Sequence, residues 1–318
     1  MELTDTQLNY FVNNRLKLPK GKRAEYLAQV DHLIERFDSA AKGDKLIDIK
    51  KFLKTGSLRK GTVLRPRGDF GVDADVAVFL NTNGASGYDL ATLHNRIRRM
   101  LAKIYPTKKA EDFTIQPRTL GIEFRDSGLE MDLVPLLIDG PGDDGWQPSS
   151  QGDKPVKTSV TKQLEFIRAR KDAYTNFTGL VRLLKFWRNF HELDDSLRSF
   201  TIELIVSHLQ DARGVPTSLE DGVLRFFLYV ANSELKTPIC FKECGTPESF
   251  PKDRVVILDP CNVENNVTRK MTEQECKVIV EKCLAAWETL TYARNYDGKT
   301  QTLELWKEVF GRSFVIED

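Results

Sequence analysis

The chain has 318 residues, 41% hydrophobic and 29% charged, and its 47 basic against 46 acidic side chains leave a formal net charge of +1. That length suits one large domain or two ordinary ones, and the composition is that of a folded protein rather than a disordered one. Near-neutrality excludes a strongly basic footprint for long nucleic acid and leaves room only for local patches.

The opening stretch, MELTDTQLNYFVNNRLKLPKGKR, lacks the apolar centre of a signal peptide, and no apolar run is long enough to span a membrane. The five cysteines are Cys240, Cys244, Cys261, Cys276 and Cys283. An odd number without a leader points to reduced thiols in a cytoplasmic protein. Cys240 and Cys244 have a tolerable ligand spacing. No CxxC partner follows and no histidine lies nearby in sequence, so small buried thiols are expected rather than zinc.

Tyr26, Val30, Leu33 and Phe37 recur at helical spacing and predict a helix over 22–41. Residues 48–54 read as a strand leading into Gly56-Ser57, and 72–80 as another. A helix over 88–104 carries Arg96, Arg98, Arg99 and Lys103. Its basic stretch continues to Lys109 and reads as a solvated face before it reads as a contact for an anionic partner. Strands at 113–117, 119–126 and 129–138 follow, the last two joined at Ser127-Gly128 as a hairpin. Residues 139–158 are rich in Gly, Pro, Asp and Ser and read as a loop or linker. Beyond it helices are expected at 159–170, 173–191, 198–212, 218–233, 272–296 and 300–310. One interruption at 238–260 holds the strand-like run Arg254–Leu258. The expected outline is an α+β part over 1–150, with an N-terminal helix reaching both lobes, then a helical part over 159–318 and a ligand cleft between the lobes.

Strand alternation puts Val72, Ala74, Val76, Val78 and Leu80 on one face and Asp73 and Asp75 on the other. Alone, such a pair reads as two solvated aspartates before it reads as a site. The strand 129–138 repeats the design: Leu129, Met131 and Leu133 share one face, Glu130 and Asp132 the other. If the two strands are neighbours, a third carboxylate from Asp132 or Glu130 joins the pair. Three carboxylates repel one another unless a cation sits among them, and they can hold two divalent metals that activate a hydroxyl and stabilise leaving pyrophosphate. Gly56-Ser57, a short distance upstream, offers close backbone approach and a hydroxyl to a phosphate, without matching GxxxxGK[ST].

Gly56-Ser57, Asp73-x-Asp75 and Asp132 together resemble the active-site pattern of the polymerase-β-like nucleotidyltransferases. Gly56-Ser57-Leu58-Arg59-Lys60-Gly61-Thr62 is similar to the GS-x-x-x-GT form of the bacterial CD-NTases, relatives of cyclic GMP–AMP synthase and of oligoadenylate synthetase. Three later segments agree with the oligoadenylate synthetases. Arg182–Trp187 looks like their RLLKxW helix, Ser199–Leu204 like the helix start after it, and Ile257–Val267 like their LDP…NNV segment. The resemblance covers about residues 45–270.

What it implies is a polymerase-β-like core with a mixed sheet plus a C-terminal helical domain. The implied activity is template-independent joining of NTPs, ATP among them, into a cyclic di- or trinucleotide messenger of anti-phage defence. Linear oligoadenylate synthesis, tRNA-end addition and non-enzymatic nucleotide sensing are the alternatives. Asp73, Asp75 and Asp132 would hold two Mg²⁺ ions, with Mn²⁺ as a substitute. Gly56, Ser57, Lys185, Ser199 and Phe200 would bind the nucleotide: Lys185 as a cation on the triphosphate, Ser199 as a hydrogen-bond donor or as a helix N-cap, Phe200 as a stacking ring. Lys185 is expected on a polar helix side with Arg182 and Arg188 or Asn189, opposite Leu180, Leu184 and Trp187. Asn262 and Asn266 would shape the donor pocket or cap a turn. Regulatory partner proteins encoded nearby are implied, with a nucleic-acid activator as a further partner class. No zinc-binding insertion like that of cyclic GMP–AMP synthase is recognisable.

Overall fold

The computed structural model describes residues 1–44, 47–67, 71–81, 90–138, 142–151 and 154–317. Asp69, the helix start expected at 88–89, parts of the 139–158 loop and the last residue of the tail lie outside them.

The chain begins with helix α1 (Asp5–Phe11), whose start is held by a capping box between Thr4 and Gln7, and runs through a π-turn at Val12–Leu16 into α2 (Lys20–Ala41). Strand β1 (Ile49–Thr55), the short helix α3 (Gly56–Lys60), β2 (Val72–Asn81) and α4 (Leu90–Ile104) follow. Next come β3 (Phe113–Ile115), β4 (Leu120–Phe124), β5 (Leu129–Ile138), β6 (Gly145–Gln147) and β7 (Val156–Thr158). The rest is helical: α5 (Val160–Ala173), α6 (Phe177–Phe190), α7 (Ser199–Arg213), α8 (Leu219–Ser233), α9 (Glu273–Asn295) and α10 (Lys299–Phe310). A two-strand clasp, β8 (Leu258–Asp259) with β9 (Asn262–Asn266), precedes α9. Two compact units result, Leu18–Leu164 and Met1–Lys17 with Glu165–Asp318, and the boundary falls inside α5.

In the first unit the sheet runs in the order β1-β2-β5-β4-β3, with β6 and β7 added at the far end of β5. The β2–β5 pair is parallel and the other pairs are antiparallel, so the sheet is mixed. A parallel neighbour needs a long crossover, and α4 with β3 and β4 supplies it. One face is covered by Tyr26, Val30, Leu33 and Phe37 of α2 and by Leu93, Ile97 and Leu101 of α4. They pack on Val72, Ala74, Val76, Val78, Met131 and Leu133. Each fully buried Val, Leu, Ile, Phe or Met among them is worth about 1.5–3 kcal/mol over leaving it in water. The opposite face carries a smaller cluster of Ala77, Phe79, Leu136, Ile138 and Val160, confined to the later half of β2 and β5.

Hydrogen bonds pin the register of that pair at its start. The N–H groups of Ser127 and Gly128 donate to Phe124 O, and Gly128 takes φ +68° to close the turn between β4 and β5. Val72 N–H then donates to Gly128 O at 3.0 Å, and Tyr26 Oη donates to Ser127 O at 2.9 Å, fastening the turn to α2.

The second unit packs α6, rich in buried Leu and Trp187, with α7 and α8. Arg170 is 5% exposed and is neutralised by Asp211 at 2.6 Å and Glu243 at 2.5 Å, which is how a guanidinium survives burial. Glu220 on α8 is fully buried. Its Oε2 accepts from Leu3 N–H at 2.5 Å, its Oε1 has no partner, and burial first, then Glu2, pushes its carboxyl up to about 7. A carboxyl raised above its unfolded value withdraws stability as pH climbs towards 7. Glu220→Gln is therefore expected to be neutral at pH 5 and to raise the unfolding midpoint at pH 8 by about 3 °C, read by thermal melts at both pH values.

Several expectations need correction. The 139–158 stretch is not all loop, since β6 and β7 pair there and extend the sheet. Of the run Arg254–Leu258 only Leu258 enters a strand, while Ile257 makes a single parallel bridge to Ile239. Cys276 and Cys283 are buried as expected, but Cys240, Cys244 and Cys261 are half-exposed; none of the five forms a disulfide. Among the described residues, no helix is long and apolar enough to cross a membrane.

Candidate active site

Parallel register places Asp75 opposite Asp132 and Asp73 opposite Glu130. All four carboxylates therefore stand on one face of two adjacent strands, at the end that the Ala77–Phe79–Leu136–Ile138 cluster leaves uncovered. Asp73 is exposed, and Asp75, Glu130 and Asp132 are half-buried. Antiparallel pairing also brings Thr55 opposite Asp75, so the turn that follows Thr55 begins beside that carboxylate. There Gly56 takes φ +62°, and a Cβ on it would stand 1.6 Å from Asp75 Oδ2. The glycine is required twice, for its left-handed backbone and for its missing side chain. Ser57 is the second residue of the α3 turn, which closes through Thr62 N–H donating to Ser57 O at 2.9 Å.

The electrostatics follow from this crowding. Burial, then the charges of Asp75, Glu130 and Asp73, pushes the Asp132 carboxyl up to about 7. Glu130 is raised by burial, then by Asp73 and Glu123. Asp132 Oδ1 is buried with no hydrogen-bond partner. Like charges so close, with one oxygen unpaired, suit a hard divalent cation with oxygen ligands. Among the described residues no three such side chains already converge as a ligand set. Backbone register, rather than side-chain rotamers, is what brings the carboxylates together.

Lys185, Ser199 and Phe200 lie in the second unit, at the meeting of α6 and α7. Arg188 Nη1 donates to Ser199 Oγ at 3.1 Å and to Leu197 O at 3.2 Å, tying the two helices. Ser199 is the first helical residue, and the N-cap is Arg198, so the capping role expected of Ser199 is not found. Phe200 is half-buried in the same turn. The expected polar side of α6 is not solvated either. Arg182, Lys185 and Arg188 are only 7%, 5% and 7% exposed, because the helix is enclosed nearly all round. Lys171 is held below its usual pKa by burial, then by Arg182 and Arg168, against partial relief from Asp172 and Glu203.

The LDP…NNV segment acts through its own hydrogen bonds. Asp259 accepts from Cys261 N–H and Asn265 Nδ2, and Asn262 Oδ1 accepts from Glu264 N–H. Buried Asn266 donates to Asp253 and Val255 O and accepts from Ile257 and Thr268. Both asparagines thus hold the β8–β9 clasp. Gly121 was missed by the sequence reading. It faces Asp132 across β4–β5, and a Cβ there would stand 3.1 Å from Glu130 Oε1 and 3.2 Å from Asp132 Oδ1. A lone glycine inside a strand was the available signal.

No family model matches the chain. It is 40% identical over 320 residues to the "CBASS oligonucleotide cyclase CdnC" of Escherichia coli strain KTE188, covering 100% of this chain and 99% of that one. It is 30% identical over 311 residues to the "Cyclic AMP-AMP-AMP synthase" of Escherichia coli strain MS 115-1, covering 96% and 95%. Two solved structures of CdnC from E. coli MS115-1 superimpose with TM-score 0.82. One, with ATP, is 29% identical and covers 98% of this chain and 99% of that one; the other, in a HORMA-deltaN complex, is 30% identical and covers 98% of each. Full-length likeness at this level decides the assignment: the chain belongs to the CBASS oligonucleotide cyclases, CD-NTase nucleotidyltransferases that make cyclic oligonucleotide messengers in anti-phage defence.

Proposed function

We propose that the chain joins three ATP molecules into a cyclic triadenylate in the cytoplasm, with Asp73, Asp75 and Asp132 as its catalytic carboxylates. The observation that carries this reading is the Asp75–Asp132 pair, set in register beside Gly56. The relative named for cyclic AMP-AMP-AMP synthesis supports the choice of base and ring size. The first unit is assigned as the nucleotidyltransferase core and the second as its helical C-terminal domain.

The unpaired Asp132 Oδ1 and the crowded carboxylates fit two Mg²⁺ ions, with Mn²⁺ as a substitute. Bound there, the ions supply charge neutralisation and a lowered hydroxyl pKa. Asp73 and Asp75 hold and orient that charge, and Asp132 accepts the proton of the attacking ribose hydroxyl. Gly56 lets a phosphate approach the backbone, and Ser57 donates a hydrogen bond to it. In the second unit Lys185 meets the triphosphate as a cation, Ser199 donates to one of its oxygens and Phe200 stacks on the donor base. Each round forms one phosphodiester bond in line and releases pyrophosphate. Three rounds, with the linear intermediate bound again between them, close the ring. A HORMA-type protein is the regulatory partner this reading takes from the relative's complex.

The test is product identity. The protein, alone and with its HORMA-type partner, is incubated with all four NTPs and Mg²⁺, treated with phosphatase, and its products are weighed by mass spectrometry. A phosphatase-resistant cyclic triadenylate is expected. Linear chains alone would overturn the cyclase reading, and a cyclic dinucleotide would overturn the ring size.

A further inference from the structure

The helix that contains Ser57 is five residues long, too short to hold itself. Two N–H groups close it on one carbonyl: Gly61, at φ +76°, and Thr62 both donate to Ser57 O. The next carbonyl, Leu58 O, accepts at 3.1 Å from Arg23 Nη2, 35 residues away in the first turn of α2. Arg23 is half-buried, and the Leu58 side chain belongs to the same core as Tyr26, Val30 and Leu33 of α2.

The same face of α2 holds a second element of the site. Arg23, Tyr26 and Gln29 follow one another at three-residue steps. Tyr26 Oη donates to Ser127 O at 2.9 Å, and Gln29 Oε1 accepts from Ser127 Oγ at 2.9 Å. Ser127 belongs to the turn whose Gly128 O sets β2 against β5, and so Asp75 against Asp132. One helix thus fastens the Ser57 turn and the carboxylate strands to a common frame. Lys54, just before the turn, also reaches α2 through Asp31 at 2.6 Å, but that pair is half-exposed and such pairs are worth little. A guanidinium donating to a backbone carbonyl is the stronger kind of tie.

We propose that Arg23 is a positioning residue of the nucleotide site. It acts through Leu58 O and holds the Ser57 turn at the spacing from Asp75 and Asp132 that a bound triphosphate needs. This rests on the phosphate role proposed for Ser57; Arg23 itself touches no substrate.

The test is calorimetric binding of α,β-methylene-ATP with Mg²⁺ to the full chain. Arg23→Met, which keeps the stem and removes the donors, is expected to weaken binding about 10-fold. Arg23→Lys, which can still donate to Leu58 O, should recover most of that loss. Lys22→Met, which removes an equal charge from the exposed neighbour, should change nothing. A double-mutant cycle separates positioning from general support. In a Ser57→Ala background Arg23→Met should cost less than about 2-fold, since the contact it positions is already gone. Thermal melts check folding, and Arg23→Gln takes the place of Arg23→Met in the cycle if the latter melts below the assay temperature. An equal cost in both backgrounds, or wild-type binding in Arg23→Met, would overturn the proposal and leave the role of Ser57 standing. Wild-type binding in Ser57→Ala would overturn that role and this proposal together.

Discussion

Asp75→Asn is expected to lower formation of the cyclic product by on the order of 10³-fold or more while leaving the fold intact. Asparagine keeps the shape of the side chain and removes its charge. Asp75 sits where three constraints meet: Asp132 faces it across β5, Thr55 faces it across β1, and its Oδ2 fills the space over Gly56. No other described carboxylate has all three neighbours. On the metal role proposed for Asp75, removing its charge takes away one anchor for the cations; it also relieves Asp132, whose carboxyl Asp75 helps to raise. Stability should therefore hold or rise while turnover collapses. Pyrophosphate release and a thermal melt on the same preparation separate the two. Activity within tenfold of the wild type, or an equal loss in Asp126→Asn, would sink the assignment of Asp75. Asp73→Asn with Asp75→Asn should leave no measurable product.

Gly56→Ala carries the second largest expected effect. Alanine at φ +62° costs about 1–2 kcal/mol in backbone strain, and its Cβ, 1.6 Å from Asp75 Oδ2, cannot coexist with the carboxylate where it stands. Asp75 must swing away, and misplacing a catalytic group by about 1 Å can cost on the order of 10²-fold. Strain and displacement can be told apart. Gly128 has φ +68° with nothing within 4 Å of its would-be Cβ, so Gly128→Ala bears comparable strain and no clash. Both variants are expected to melt lower, and only Gly56→Ala should lose activity by about 100-fold. Equal activity loss in the two would show that strain, not the displaced carboxylate, is responsible.

The legible parts of this fold were those where one periodicity ruled. Tyr26, Val30, Leu33 and Phe37 gave α2, and the alternation in 72–80 and 129–138 gave two strands whose acids and core residues fall on opposite faces. What sequence spacing could not decide was which strands are neighbours. Strand alternation alone left Asp132 and Glu130 as rivals and only the family resemblance favoured Asp132; the parallel pairing sets Asp132 against Asp75 and Glu130 against Asp73. The polar side expected for α6 failed for a different reason. Periodicity reports which residues are apolar, whereas Arg182, Lys185 and Arg188 are charged and buried at once. Gly121 offered a signal, a glycine inside a strand, but the reason for it, the close approach of two carboxylates from β5, shows only in three dimensions. Residues 139–158 were read from their Gly and Pro content, yet three-residue strands need only backbone pairing, and β6 and β7 find it beside β5.

The hydrogen bond from Val72 to the turn at Gly128 works as the zero of a ruler. From it, three rungs of parallel pairing lead to Asp75 and Asp132, and the next two lead into Ala77, Phe79 and their apolar cover. A one-residue slip of β2 against β5 would turn every acid of one strand towards the core. A two-residue slip keeps the faces but drives a carboxylate under hydrophobic cover, where an unpaired charge is costly. Chains that assemble the acids in the wrong alignment are thus the chains that fold badly. Quality control of the carboxylate spacing is built into the folding reaction itself.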